Sequence, residues 1–224
     1  MLVLLLLAML TACAAVPQDL SGKMFTFPQE TNTAHVRLTT SRQEFRAVTA
    51  CLRFFTDLSR NYGLFSLATP SLANDFLIFK EAGNNETDVH INNQKVDFRG
   101  QNYNLNTWHS ICSTWDSVSG LAQLWVNGKP SSRKFVSSGS KINGPIIIVL
   151  GQEQDSHGGG FDINQSFVGM MSDVHMWDRA LTPCEIQNYM EHLSFTSGNV
   201  LSWRALEFQT IGRVLTEDKQ LICY

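Results

Sequence analysis

After its first fifteen residues the 224-residue chain has no apolar run near the ~20 residues that a membrane helix needs. It has no excess of positive charge either. Seventeen Lys and Arg stand against 20 Asp and Glu, a formal net charge of −3, which argues against nucleic acid or a generally acidic partner. There is no C-x-x-C and no paired histidine, so the spacing of a zinc site is missing. The aspartate and glycine spacing of an EF-hand loop is absent as well. Six histidines are scattered, and no Ser-His-Asp or Cys-His arrangement stands out. With no internal repeat and no low-complexity linker, a single domain is expected.

What is present begins with MLVLLLLAMLTACAA, which is too short to span a bilayer and ends in small residues. Residues 1–15 are therefore expected to be a signal peptide cleaved after Ala14 or Ala15, leaving residues 16–224 as a secreted domain. Four cysteines remain, Cys51, Cys112, Cys184 and Cys223, an even set for which two disulfides are the default in an oxidising compartment. Cys51 and Cys112 sit in the strand-like segments ACLRFF and SICSTW, and a cross-link over that loop is worth ~4 kcal/mol. Pairing them leaves Cys184 and Cys223 to tie the C-terminus to the body, a pairing the sequence leaves open.

Short strand candidates recur at Val48–Thr56, Asn74–Lys80, Trp108–Trp115, Leu121–Val126, Arg133–Val136, Ile146–Leu150 and Phe167–Trp177, with an Asn127-Gly128 hairpin signal between two of them. One helix is expected from Pro183. Thr182 is its N-cap and Glu185 completes a capping box, with Ile186, Tyr189, Met190 and Leu193 on one face. These elements predict an all-β, lectin-like jelly-roll β-sandwich of two antiparallel sheets, with one short α-helix on one face.

The segment LGQEQDSHGGGFDINQSF, residues 150–167, carries the densest chemistry. Glu153, Asp155 and Asp162 fall close together beside the amides of Gln152, Gln154 and Gln165, and three glycines let the backbone bend. Many hard oxygen donors on a pliable loop suit calcium, which takes ~6 to 8 oxygens in loose geometry. The plainer reading is a solvated acidic turn.

Two segments resemble the pentraxin family. Ser110-Ile111-Cys112-Ser113-Thr114-Trp115-Asp116-Ser117 is similar to its signature H-x-C-x-S/T-W-x-S, with serine at the leading position. LGQEQDS with the later GxFxxxQSFVG is similar to its calcium loop. Further co-linear matches, from Phe25-Thr26-Phe27-Pro28 to Val200-Leu201-x-Trp203-x-Ala205-Leu206, extend the resemblance over nearly all of residues 16–224. It implies a secreted, non-enzymatic, acute-phase type of innate-immune protein, assembled as a cyclic homo-oligomer, commonly a pentamer. It implies two calcium ions per subunit, held by Asn74, Glu153, the carbonyl of Gln154, Asp155, Asp162 and Gln165. Calcium would bridge to a phosphate-bearing or other anionic ligand such as phosphocholine, phosphoethanolamine or an anionic polysaccharide. Phe79, His90 and Lys95 fall at the ligand-pocket positions.

The chain departs from the family's pattern in several places. Ala73 stands where an aspartate is usual, and the adjacent Asp75 is a candidate to compensate. Lys95 stands where choline binders carry a glutamate, so it is expected to repel a quaternary ammonium and favour anionic or neutral partners. Asn127 and Met190 replace an acid and a tyrosine, which argues against complement recruitment by the usual contacts. Asn85, in an N-x-S/T sequon, is the expected glycan site. The alternatives are a jelly-roll carbohydrate-active enzyme, for which a second glutamate at strand spacing is missing, and a laminin-G-like adhesion module.

Overall fold

A computed structural model describes residues 16–83, 86–101 and 103–220. The expected signal segment, the sequon at Asn85 and Cys223 lie outside the described residues. In chain order the strands are β1 (Lys23–Phe27), β2 (His35–Leu38), β3 (Glu44–Phe45), β4 (Ala47–Phe55), β5 (Tyr62–Thr69), β6 (Leu72–Glu81), β7 (Glu86–Ile91), β8 (Gln94–Phe98), β9 (His109–Asp116), β10 (Leu121–Val126), β11 (Lys129–Pro130) and β12 (Lys134–Phe135). They continue with β13 (Ile142–Asn143), β14 (Ile147–Leu150), β15 (Gly169–Trp177), the helix α1 (Pro183–Met190), β16 (Phe208–Ile211) and β17 (Leu215–Asp218).

Two large antiparallel sheets result, with β3 and β13 pairing as a separate two-stranded one. One runs β11-β10-β9-β4-β15-β1-β17, with β12 also on β10; the other runs β16-β2-β14-β5-β6-β7-β8. Strand alternation sends one face of each sheet into a common core containing Phe25, Phe54, Phe65, Phe76, Trp115 and Trp203, all almost fully buried. The β10–β11 hairpin turns at Asn127 (φ 49°) and Gly128 (φ 77°), the two positive angles a type I′ turn requires.

The outer face of the eight-stranded sheet is closed by α1. An eight-residue helix is too short to persist alone in water, so its ends and its docking must hold it. Thr182 accepts from Glu185 N while Glu185 Oε2 accepts from Thr182 N at 2.9 Å, completing the capping box. Ile186, Tyr189 and Met190 then bury against Cys51, Cys112, Trp125 and Trp177. Each large apolar side chain covered this way contributes ~1.5–3 kcal/mol. Leu193 does not join them: the helix stops at Met190, and Leu193 is 54% exposed. Cys51 and Cys112 face each other across β4 and β9 and form a disulfide beneath the helix. Cys184 is exposed and has no partner among the described residues.

Candidate metal centre and ligand face

The donor loop leaves the seven-stranded sheet at the end of β14, which is held between β2 and β5. Gly151 (φ 89°) makes the turn where a side chain has no room, since a Cβ would lie 2.2 Å from the Phe27 ring. Two glutamine amides fasten the next residues. Gln152 Nε2 donates to the carbonyls of Thr31 (2.7 Å) and Ala34 (2.9 Å). Gln154 Nε2 donates to Ser66 O (2.9 Å) and Ile147 O (3.2 Å), and its Oε1 accepts from Gly158 N at 2.9 Å. The Gln154 amide is thus spent on the loop, and its main-chain carbonyl is the atom left for a ligand. At β5 the approach is close enough to need Gly63, whose Cβ would stand 3.2 Å from the Gln152 carbonyl.

Glu153 is buried beneath the loop, with Asp155 exposed and Asp162 and Gln165 half-buried around it. Burial pushes the Glu153 carboxyl up to about 7; the charge of Asp155 adds to this, a hydrogen bond from Asn74 opposes it, and Asp162 adds a little more. Asn74, Asp155 and Asp162 are therefore each within electrostatic or hydrogen-bonding reach of Glu153. Asp162 caps the short 3₁₀ turn Ile163–Gln165, its Oδ1 accepting from Asn164 N at 2.9 Å.

Four oxygens here are left over: Gln152 Oε1, on an amide already anchored to Thr31 and Ala34, and three that belong to the expected donors. Asn74 Oδ1, Glu153 Oε2 and Gln165 Oε1 are each buried without a hydrogen-bond partner. Buried polar atoms are ordinarily paired in more than nine cases out of ten, so three orphans from three segments call for an explanation. All three are acceptors, and none is an N–H. That is the chemistry of a donor set for a hard cation, and the residues present fit calcium. Asp75, the candidate to compensate for Ala73, is engaged within the chain: its Oδ2 accepts from Thr69 Oγ1 (2.9 Å) and its Oδ1 from Asn92 Nδ2 (2.6 Å).

The three pocket residues lie on neighbouring strands of the same sheet. Phe79 is 7% exposed but lies outside the core between the sheets, with Gly63 opposite it on β5 and Asp88 on β7. His90 pairs with Lys95 across β7 and β8; burial lowers its basicity and the Lys95 charge lowers it further. Lys95 is not the free cation the sequence suggested. Its ammonium lies 2.8 Å from Asp88 Oδ2, 3.1 Å from Glu81 Oε1 and 3.4 Å from Asp97 Oδ1. Glu81, Glu86 and Asp88 could hold a metal ion, their oxygens lying within 4.8 Å of one another, but the Lys95 ammonium already reaches all three. Arg99 adds a second cation against Glu86. Glu81, Glu86, Asp88 and Asp97 thus gather on the strands beside Phe79, facing Lys95 and Arg99, with Lys80 also within electrostatic reach of the first three. Burial raises the Asp88 pKa, Lys95 opposes, and Glu81 reinforces the rise.

These acids went unread in the sequence, although E-T-D-V-H-I already alternates with period two. On the helix face, Asn127 and Met190 serve the structure. Asn127 Oδ1 accepts from Ser110 N at 2.9 Å, and Met190 Sδ accepts from Gly128 N at 3.1 Å.

The fold and the donor loop together define a lectin-like jelly-roll domain with one helix-covered face and one open face. The Pentaxin family profile matches residues 23–218. The chain is 42% identical to bovine serum amyloid P-component over 200 residues, 89% of this chain and 88% of that one. It is 40% identical to C-reactive protein of Xenopus laevis, covering 91% and 86% respectively. Its backbone matches the native heptameric SAP-like pentraxin of Limulus polyphemus with a TM-score of 0.82 at 26% identity, over 89% of this chain and 96% of that one. The chain belongs to the pentraxin family.

Proposed function

We propose that the protein is a secreted, calcium-dependent recognition protein of innate immunity with no catalytic step. Calcium is held by Asn74, Glu153, the Gln154 carbonyl, Asp155, Asp162 and Gln165, with two ions per subunit, and bridges to a phosphate-bearing ligand. The observation that carries this reading is the set of three buried, unpartnered oxygens on Asn74, Glu153 and Gln165. The metal supplies positive charge where the protein alone presents acceptors. Family membership and the heptameric relative support a cyclic homo-oligomer, in which several such faces act together.

Beside the metal, Phe79 provides an apolar wall, and the acids around Lys95 change the expected preference. With Glu81, Asp88 and Asp97 about the ammonium, the pocket takes a cationic head such as that of phosphocholine or phosphoethanolamine in preference to an anionic polysaccharide. Calorimetric calcium titration of the full chain, followed by binding to immobilised phosphocholine, phosphoethanolamine and a sulfated sugar, tests this. Binding to the first two that disappears on chelation is expected. Binding that survives chelation contradicts the calcium bridge, and preference for the sulfated sugar contradicts the pocket assignment.

A further inference from the structure

Arg60 lies outside the donor set, yet it grips the segment that carries Gln165. Its Nη1 donates to Ser166 O (2.6 Å), Asn61 O (2.9 Å) and Asn164 O (3.2 Å), and Nη2 donates to Ser166 Oγ (3.3 Å). Its Nε faces Glu30 at 3.4 Å, which holds the other edge of the guanidinium. The carbonyls at the end of a helical turn have no partners of their own, and a planar fork of five donors can serve several at once.

The geometry of residue 165 follows from these bonds. The peptide before it is fixed at both ends, by Asn164 O on Arg60 and by Gln165 N on Asp162 O (3.0 Å). The peptide after it is fixed by Ser166 N on Ile163 O (3.2 Å). The next is fixed by Ser166 O on Arg60 and Phe167 N on Gly151 O (3.0 Å). With the flanking peptide planes set, the Cα–Cβ direction of Gln165 is set too, and its buried Oε1 carries no other bond.

We infer that Arg60 is a positioning residue for the metal site, pre-orienting Gln165 through the peptides on either side of it. This rests on the calcium reading above. Pre-organised second-layer contacts commonly change metal affinity by ~10- to 100-fold.

The test is a double-mutant cycle read by calcium calorimetry on the full chain, with calcium-free thermal melts run alongside. Arg60→Met is expected to weaken calcium binding by ~10-fold, with Arg60→Lys intermediate because an ammonium cannot fork across two carbonyls. Adding Arg60→Met to Gln165→Ala should cost little more, because Arg60 acts on the site through Gln165. Adding it to the wild type should cost its full amount. Unchanged affinity in Arg60→Met, or fully additive losses, overturns the inference. If Arg60→Met does not fold, the same cycle with Arg60→Lys decides by the same criterion. A wild-type chain that takes up no calcium refutes the calcium reading itself, and this inference with it.

Discussion

The two outer faces of this sandwich are finished differently. On the eight-stranded sheet, α1 covers Trp125, Trp177 and the Cys51–Cys112 bridge, and both ends of the capping box are satisfied. On the seven-stranded sheet, the loop from Gly151 to Phe167 is bolted down by Gln152, Gln154 and Arg60, yet it ends in buried oxygens with no partner. The first face closes with its helix docked, and its few unpartnered polar atoms, Trp125 Nε1 and Gln187 Oε1 among them, mix donors with acceptors. The second is rigid but incomplete, a condition met when a ligand supplies the missing charge. What distinguishes the loop is that its orphaned atoms are all oxygens, the donor type a hard cation takes.

The largest effect that would sharpen this contrast lies under the helix. Cys51→Ala with Cys112→Ala should lower stability by ~4 kcal/mol in the chain-entropy picture. Because the bridge lies on the finished face, calcium affinity of the folded variant should hold; denaturant melts and calorimetry check the two halves. Loss of calcium binding in the folded variant would break the separation of the faces.

The second prediction concerns pH. His175 is buried against Trp177, Tyr189 and Phe195, and its Nδ1 accepts from Gly198 N at 3.2 Å. Burial lowers its pKa to about 4 from 6.5, so in that window the unfolded chain binds more protons than the folded one. The stability is fully present above pH 6.5 and is lost as pH falls towards 4. Between pH 7.5 and 5 the loss attributable to this residue is about 2 kcal/mol. Urea melts of wild type and His175→Phe should show a shallower slope in the variant; equal slopes contradict the assignment.

Much of the finished face was legible in the sequence because its signals are local. Thr182, Pro183 and Glu185 announce a helix start within four residues, and Asn127-Gly128 announces a hairpin within two. The β-branched and aromatic runs around Cys51, Cys112 and Val149 gave their strands to within about two residues. The open face was read less well. Strands β7 and β8 place Glu86, Asp88 and Lys95 on one side, and a buried acid beside a lysine looks like a loop until register brings the two together. Lys95 is a similar case: its charge was visible in the sequence, but its acidic neighbours on β6, β7 and β8 were not. Asp75 followed suit, since only the fold shows that Thr69 and Asn92 claim it.

On the open face, Glu153→Gln keeps the shape but removes the anionic donor. Calcium affinity should fall on the order of 100-fold, since donor charge is a main determinant of affinity. The calcium-free chain above pH 7 should become more stable, because the buried charge no longer opposes folding. A variant that binds calcium like the wild type would remove Glu153 from the donor set. The smallest effect belongs to the cap: Thr182→Ala should cost ~1 kcal/mol and leave calcium binding unchanged.

Whether the loop face, and not the helix face, takes up a cation is tested most directly by hydrogen exchange with and without millimolar calcium. Added protection is expected at residues 152–167 and around Asn74, with no change across α1 and the strands beneath it. Protection that is unchanged in the loop, or that rises equally on the helix face, would contradict cation uptake on the loop face.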